Sequence, residues 1–305
     1  MLNLFLLILI YSGIYALMAL GQNMITGYGG MLSLCQAGFF AIGSYATAIL
    51  TTKLGWSFWA TIPVSVVLSA LLGVVIGLPT LRLKGDYLAI ATLGFAEIVR
   101  TVINNWDKLT NGPNGINKIP KAQIFGLTVK SKLAYILVIW AIVALVWFLF
   151  ERIAKSRMGR ALESIREDEI AASSMGINVT KYKVVAFALG AAAAGIAGSL
   201  QALYIGSVMP GTYVFMVSIM VLCMVVLGGM GNFVAVVVGA VLIQLISYFP
   251  QLVGLSSVIP AQAKQILFGL ILVIMMIYRQ QGILGRRERK TVAAEKAYLA
   301  SKEAD

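Results

Sequence analysis

Few side chains in this sequence could carry acid–base or metal chemistry. The 305-residue chain contains no histidine and only 12 Asp and Glu residues, which removes imidazole catalysis and most zinc or haem sites. One carboxylate and one guanidinium, Glu97 and Arg100, lie three residues apart inside an apolar stretch. That spacing places both on one helix face, where they can pair. We interpret the pair as a structural clamp rather than a proton relay.

Charged residues concentrate in one segment, residues 151–183, which contains seven Lys/Arg and five Asp/Glu. Apolar residues recur within it at a helical spacing, which predicts one amphipathic helix at a membrane surface. Gly159 is placed to open this helix, and Gly176 is placed to end it in the left-handed conformation. The predicted apolar stripe consists of Leu162, Ile165, Ala172 and Met175.

Four amide side chains lie in or beside apolar stretches: Gln22, Asn23, Gln36 and Gln201. The first two belong to a glycine-rich linker, Gly21–Gly30, whose irregular backbone requires protein or water to satisfy its polar groups. Such amides either contact a solute on a translocation path or join neighbouring helices by hydrogen bonds. Both interpretations stay open for all four residues.

Small residues recur where the chain must be compact. One set at i, i+4 and i+8 predicts a helix face that another backbone approaches closely: Gly190, Ala194 and Gly198. A second set predicts a tight or left-handed turn between two apolar segments: Gly228, Gly229 and Gly231. This GGMG run is not a phosphate loop because no GK[ST] ending follows it, and no such loop occurs elsewhere.

These residues must be positioned by apolar helices. Hydrophobic residues make up 60% of the chain, charged residues 12%, and the mean hydropathy is +0.90, so the sequence predicts an all-α polytopic membrane protein. A bilayer core of about 30 Å requires about 20 residues per helix, which predicts about nine spans, within a range of eight to ten. The spans are Leu2–Leu20, Met31–Thr52, Trp56–Pro79, Tyr87–Asn104, Leu133–Phe150, Val184–Tyr204, Tyr213–Leu227, Phe233–Phe249 and Val258–Tyr278.

The basic residues predict the orientation of these spans. Lys and Arg are more numerous on the side that holds residues 151–183, which places that segment and the C-terminus in the cytoplasm. The net charge of +12 then reflects basic loops and not a nucleic-acid partner. We predict a permease domain over residues 1–280 and a basic cytoplasmic tail over 281–305 that meets anionic lipid.

The chemistry that the sequence lacks restricts its function. It has no paired-carboxylate site, metal cluster or nucleophile motif, and its spans carry few ionisable groups. We therefore expect a translocation subunit that draws energy from another protein, without enzymatic activity of its own. A stand-alone secondary transporter or channel, and a membrane scaffold, are the alternatives.

Several stretches resemble the permease subunits of branched-chain amino-acid ABC importers, specifically the LivM type. They are GYGGMLSLCQAGFFAIGSYATA, LPTLRLKGDYLAIATLGFAEIVR, LTNGPNGI, MGRALESIREDEIAASSMGI and the glycine turn at 228–231. The sequence departs from the Glu-Ala-Ala pattern common among ABC importers, because Ile170 separates Glu169 from Ala171. This departure indicates a distinct permease class.

The resemblance implies a bacterial inner-membrane protein that moves Leu, Ile, Val or related amino acids and amides inward. It implies four kinds of partner: a second homologous permease of the LivH type, two cytoplasmic ATPase subunits that bind ATP and Mg, an extracytoplasmic amino-acid-binding protein, and membrane lipid. It also implies that the charged segment docks on an ATPase. The residues that the resemblance assigns to this coupling are Glu163, Arg166, Glu167, Asp168, Ala171, Ala172 and Gly176.

Overall fold

A computed structural model describes residues 2–80, 83, 85–120, 123–124, 127–128, 132–252 and 270. The predicted span Val258–Tyr278 and the basic tail 281–305 lie outside the described residues, apart from residue 270. The described chain is almost entirely helical. Its α-helices are α1 Leu2–Gln22, α2 Gln36–Lys53, α3 Phe58–Thr80, α4 Asp86–Asn105, α5 Asp107–Thr110, α6 Lys132–Lys155, α7 Arg157–Glu167, α8 Glu169–Ser174, α9 Val179–Ile205, α10 Phe215–Gly228 and α11 Phe233–Leu252.

Each predicted span up to Phe249 overlaps one of these helices for most of its length, and several of the helices extend beyond the predicted bounds. Among the described residues, five helical stretches are long and apolar enough to cross a membrane: Asn3–Tyr28, Phe58–Pro79, Lys132–Lys155, Val179–Ile205 and Pro210–Gly228. Phe233–Phe249 is a shorter apolar helix. Many large apolar side chains on α3, α4 and α6 are exposed, among them Val75, Ile90 and Leu137. An apolar outer surface of this kind suits a lipid environment, so the protein is a multi-pass membrane protein.

α9 lies at the centre of the bundle and packs against α1, α2 and α3. As predicted, other backbones approach α9 closely at its small residues, but Gly190 and Gly198 contact different helices. A Cβ on Gly190 would meet Ile25 and the carbonyl oxygen of Gly21, whereas a Cβ on Gly198 would collide with the backbone of α2. Ala194 is fully buried between them. The face is therefore an internal packing surface, in which backbones approach because no side chain separates them.

The start of the predicted second span is wrong. The chain continues helically from α1 through a π-helical segment, Asn23–Tyr28, so most of the linker Gly21–Gly30 is not irregular. The irregular backbone lies instead at residues 29–35, and α2 begins only at Gln36. Wider π-helical turns are often found at functional sites.

The loop between α4 and α6 contains the turns that its NGPNG run predicts. Asn111, Gly112 and Gly115 all have positive φ, which asparagine and glycine adopt at low cost. Beyond the turns, β1 (Ile116–Asn117) pairs antiparallel with β4 (Ser207–Val208). A second pair joins β2 (Gln123–Ile124) to β3 (Leu127–Thr128). The first pair attaches this loop to the end of α9.

Candidate functional site

The charged segment folds as two short helices and not as the single helix that its periodicity predicts. α7 begins at Arg157 rather than at Gly159, because the Ser156 hydroxyl accepts a hydrogen bond from the Met158 amide at 3.1 Å. Asp168 separates α7 from α8 with an extended backbone, φ −154° and ψ 112°. Its carboxylate accepts hydrogen bonds from the Ile170 and Ala171 amides at 2.8 and 3.0 Å. Asp168 is therefore the N-cap of α8.

The break at Asp168 changes which apolar residues are buried. Leu162, Ile165 and Ala172 are buried as predicted, but Met175 is 83% exposed and does not belong to the stripe. Ile170 is also 73% exposed. Because helical periodicity does not continue through the extended Asp168, α8 presents a different face from the one extrapolated from α7. Gly176 ends the segment with φ +80°, in the predicted left-handed conformation.

α7 is joined to the transmembrane bundle by a hydrogen bond that the sequence does not reveal. Arg166 Nη1 donates to the carbonyl oxygen of Gly27, in the π-helical segment, at 2.6 Å. The Arg166 stem also lies against Gly30, where a Cβ would stand 2.8 Å from Arg166 Cγ. Arg166, predicted to contact an ATPase, thus connects α7 to the end of α1.

The π-helical segment is joined in turn to the glycine turn between α10 and α11. Asn23 Oδ1 accepts a hydrogen bond from the Gly231 amide at 2.9 Å. Gly229 and Gly231 have φ of +129° and +81°, so this turn has the conformation predicted for it. Gly228 packs closely against the backbone of Ala235. Arg166, Gly27, Asn23 and Gly231 therefore form one connected set, which we call the hinge cluster.

A second connection ties α8 to α9. Lys183 Nζ lies 2.9 Å from Glu169 Oε2, and the lysine is only 7% exposed. A buried ammonium requires such a partner because desolvation of an unpaired charge is strongly unfavourable. Sequence reasoning missed this pair, since its members are neither neighbours on one helix nor at a motif spacing. The one available signal was a lysine at the edge of an apolar helix.

Four charged residues of the segment line an open cleft of about 430 Å³. Glu163, one of the predicted coupling residues, lies in its wall beside Arg160, Lys155 and Glu151. Lys155 and Glu151 form an ion pair at 2.9 Å on the last turn of α6. The seven predicted coupling residues therefore do not share one surface. The exposed ones include Glu167, Asp168, Ala171 and Gly176. Ala172 is buried, Arg166 is exposed but bonded to the bundle, and Glu163 lies in the wall of the cleft.

The four predicted path amides are all buried but do not form one hydrogen-bonded group. Gln22 donates to Thr26 Oγ1 and to the Ser33 carbonyl oxygen, each at 2.8 Å, and Asn23 belongs to the hinge cluster. Gln36 begins α2, whereas Gln201 lies far along α9. The predicted Glu97–Arg100 pair is present at 2.7 Å, with both side chains about one-third exposed. It is a local pair on α4, as its spacing indicates.

These features define a class of protein. A bundle of membrane-length apolar helices, with a charged two-helix segment attached at one end and amides in its interior, is the architecture of a transport permease. Within the described residues there is no group of three or more His, Cys, Asp or Glu side chains that could hold a metal ion.

Comparison with known proteins gives the family. The protein-family model described as "Branched-chain amino acid transport system / permease component" matches residues 4–276. The chain therefore belongs to this family of transport permeases, which are not enzymes. It is 39% identical over 298 residues to the high-affinity branched-chain amino acid transport system permease protein LivM of Salmonella typhimurium, covering 89% of this chain and 68% of that protein.

Two further relatives extend the comparison. The LivM protein of Escherichia coli strain K12 is 38% identical over 298 residues, with the same coverage of 89% and 68%. The permease protein LivH of the same organism is 26% identical over 296 residues, covering 91% of this chain and 93% of LivH. No solved structure matches this chain.

Proposed function

We propose that this protein is one membrane-spanning subunit of an ATP-binding-cassette importer that moves branched-chain amino acids, or related amino acids and amides, into the cell. The names of the LivM and LivH relatives support the substrate class. The proposal places the chain in the bacterial inner membrane with about nine spans and with its C-terminus and residues 151–183 in the cytoplasm. The partners are a homologous permease, two ATPases and an extracytoplasmic binding protein.

One observation carries the energy-coupling part of this proposal. α7 and α8 are attached to the bundle by the contacts of Arg166 and Glu169, yet Ile170 of α8 and Met175 just after it are 73% and 83% exposed. Exposed large apolar side chains beside charged ones are typical of a protein-docking surface. An ATPase docked there would bury both apolar side chains, while Glu167 and Asp168 would set its register. ATP and Mg would be bound by that partner and not by this chain.

The connections described above supply a path from this surface into the membrane. Movement of α7 would be passed through Arg166 to the π-helical segment, and through Asn23 to the turn between α10 and α11. Movement of α8 would be passed through Glu169 and Lys183 to α9. Rigid elements joined by short polar contacts can transmit a partner's conformational change in this way.

Reconstitution tests the proposal directly. The chain should co-purify with an ATPase, and the purified complex in proteoliposomes should accumulate L-leucine, L-isoleucine or L-valine only when ATP and the binding protein are both supplied. If the protein were a stand-alone secondary transporter, the proteoliposomes would accumulate solute without ATP, and no ATPase would co-purify. If it were a scaffold, partner proteins would co-purify but no solute would accumulate.

A further inference from the structure

The first residue of α2, Gln36, carries an amide group with no hydrogen-bond partner among the residues that the structure describes. Its side chain is completely buried, yet neither its Oε1 nor its Nε2 is bonded to any of those residues. An unpaired buried donor or acceptor is destabilising, and native proteins contain few of them. Both polar atoms of one side chain are unpaired here, which calls for a ligand or a functional reason.

The surroundings of Gln36 are built rigidly. The amide of the next residue, Ala37, donates to the Ser218 hydroxyl of α10 at 3.0 Å, and the Leu34 amide donates to Thr92 Oγ1 of α4 at 2.9 Å. These bonds join α2 to α4 and α10 on either side of Gln36. α2 is 18 residues long, so its N-terminus places a positive partial charge beside the unpaired amide.

A further buried amide lies at the end of α1 and is bonded to the stretch that precedes α2. Gln22 is 1% exposed, and its Nε2 donates to the Ser33 carbonyl oxygen and to Thr26 Oγ1. Its Oε1 has no hydrogen-bond partner within the described part of the chain. The bond to Ser33 ties Gln22 to the chain three residues before Gln36. The break between the π-helical segment and α2 is therefore flanked by two buried amides, Gln22 at the end of α1 and Gln36 at the N-terminus of α2, which together offer one donor group and two acceptor oxygens without partners among the described residues.

We propose that this break binds the zwitterionic end of the transported amino acid. Gln36 Nε2 donates a hydrogen bond to the α-carboxylate, whose negative charge is favoured by the positive end of the α2 dipole, and Gln22 Oε1 accepts a hydrogen bond from the α-ammonium. Neutral amides suit a ligand with no net charge, because a buried Arg or Asp would be costly whenever the site is empty. This inference rests on the proposed function and adds to it the group of the substrate that the membrane subunit recognises.

The test uses the complete importer in proteoliposomes with L-leucine as the solute. Gln36→Met keeps the size of the side chain and removes both polar atoms, and Gln36→Glu places a carboxylate where the substrate carboxylate binds. Gln244→Met is the matched control, since Gln244 is a 2% exposed glutamine on α11 that also has an unpaired Nε2. Thermal unfolding and binding-protein-stimulated ATP hydrolysis are measured on every variant.

We expect Gln36→Met to lower the initial rate of uptake about tenfold or more, and Gln36→Glu to lower it further. The unfolding temperature of Gln36→Met should be unchanged or higher, because a costly unpaired group has been removed, and Gln244→Met should transport normally. Wild-type uptake by Gln36→Met, or equal losses in Gln36→Met and Gln244→Met, would overturn the inference while leaving the importer assignment intact. Absence of ATP-dependent uptake by the wild-type complex would instead contradict the proposed function.

Discussion

Asp168 shows how one residue divides a segment that reads as a single helix. Its extended backbone ends α7, and its carboxylate replaces the helical hydrogen bonds that the first amides of α8 lack. Ile170 and Met175 become exposed as a result. Lys183 is a second residue on which the local structure depends. Its buried ammonium forms an ion pair with Glu169, and within the described residues it has no other ion-pair partner.

The cap at Asp168 can be tested by two substitutions. Asp168→Ala removes the acceptor and should cost α8 about 1 kcal/mol, whereas Asp168→Asn retains an acceptor and should cost little. Hydrogen exchange at the Ile170 and Ala171 amides should therefore become about fivefold faster in the alanine variant, and remain near the wild-type rate in the asparagine variant. Equal exchange in both variants would exclude a capping role.

The Glu169–Lys183 pair predicts a non-additive pattern. Glu169→Gln alone leaves a buried ammonium without its carboxylate and should lower stability by about 1–3 kcal/mol. The double variant Glu169→Gln, Lys183→Met removes both charges and should recover much of that loss. Thermal unfolding of the four proteins of this cycle gives the coupling energy. Additive effects would show that the two side chains do not interact.

At the scale of elements, two surfaces have opposite requirements. The face of α9 towards α1, α2 and α3 is made of small residues because backbones touch there, and any added volume must displace a helix. The surface around α8 is the reverse case, since Ile170 and Met175 are large apolar side chains that are 73% and 83% exposed. The first surface holds the bundle together, and we assign the second to the ATPase.

Gly198→Ala should destabilise the bundle by about 1–3 kcal/mol, because the new methyl group would collide with the Phe40 carbonyl oxygen. Gly94→Ala on α4 is the matched control, since a Cβ at Gly94 would have no described atom within 4 Å. The control should be neutral or stabilising by about 0.5–1 kcal/mol. Thermal unfolding in detergent distinguishes the two, and equal melting temperatures would contradict the packing argument.

Ile170→Asp should weaken association with the ATPase about tenfold or more, because a charge replaces an apolar side chain that docking would bury. The fold should be unaffected, since Ile170 is 73% exposed. Thr180→Asp, another exposed position nearby on α9, is the control and should bind normally. Quantitative co-purification of the ATPase measures both, and full recovery with Ile170→Asp would place the docking surface elsewhere.

At the scale of the whole molecule, the hinge cluster connects parts of the chain that are far apart in sequence. Arg166 reaches Gly27 across 139 residues, and Asn23 reaches Gly231 across 208. The charged segment, the end of α1 and the turn before α11 therefore meet at one place. This convergence supports the proposed coupling, because a displacement of α7 by a docked ATPase would be passed to α1 and to the turn before α11.

Arg166→Met should separate ATP hydrolysis from transport. The substitution keeps the apolar stem that packs on Gly30 but removes the donor to the Gly27 carbonyl oxygen. We expect the ATPase to bind and hydrolyse ATP while L-leucine uptake per ATP falls several-fold. Arg166→Lys retains one donor and should be affected less. If Arg166→Met instead lost ATPase binding, the side chain would be part of the docking surface, as its exposed position on α7 also allows.

Features that depend on local composition and spacing can be predicted from the sequence. Long apolar stretches predict helices in a membrane, NGPNG and Gly176 predict turns, and the three-residue spacing of Glu97 and Arg100 predicts a local pair. The start of α2, the exposed residues of α8, and the groups that Arg166, Asn23 and Lys183 contact become known from the folded structure. The physical reason is that these contacts join distant segments, whose meeting depends on how the helices pack and not on the residues beside them in the chain.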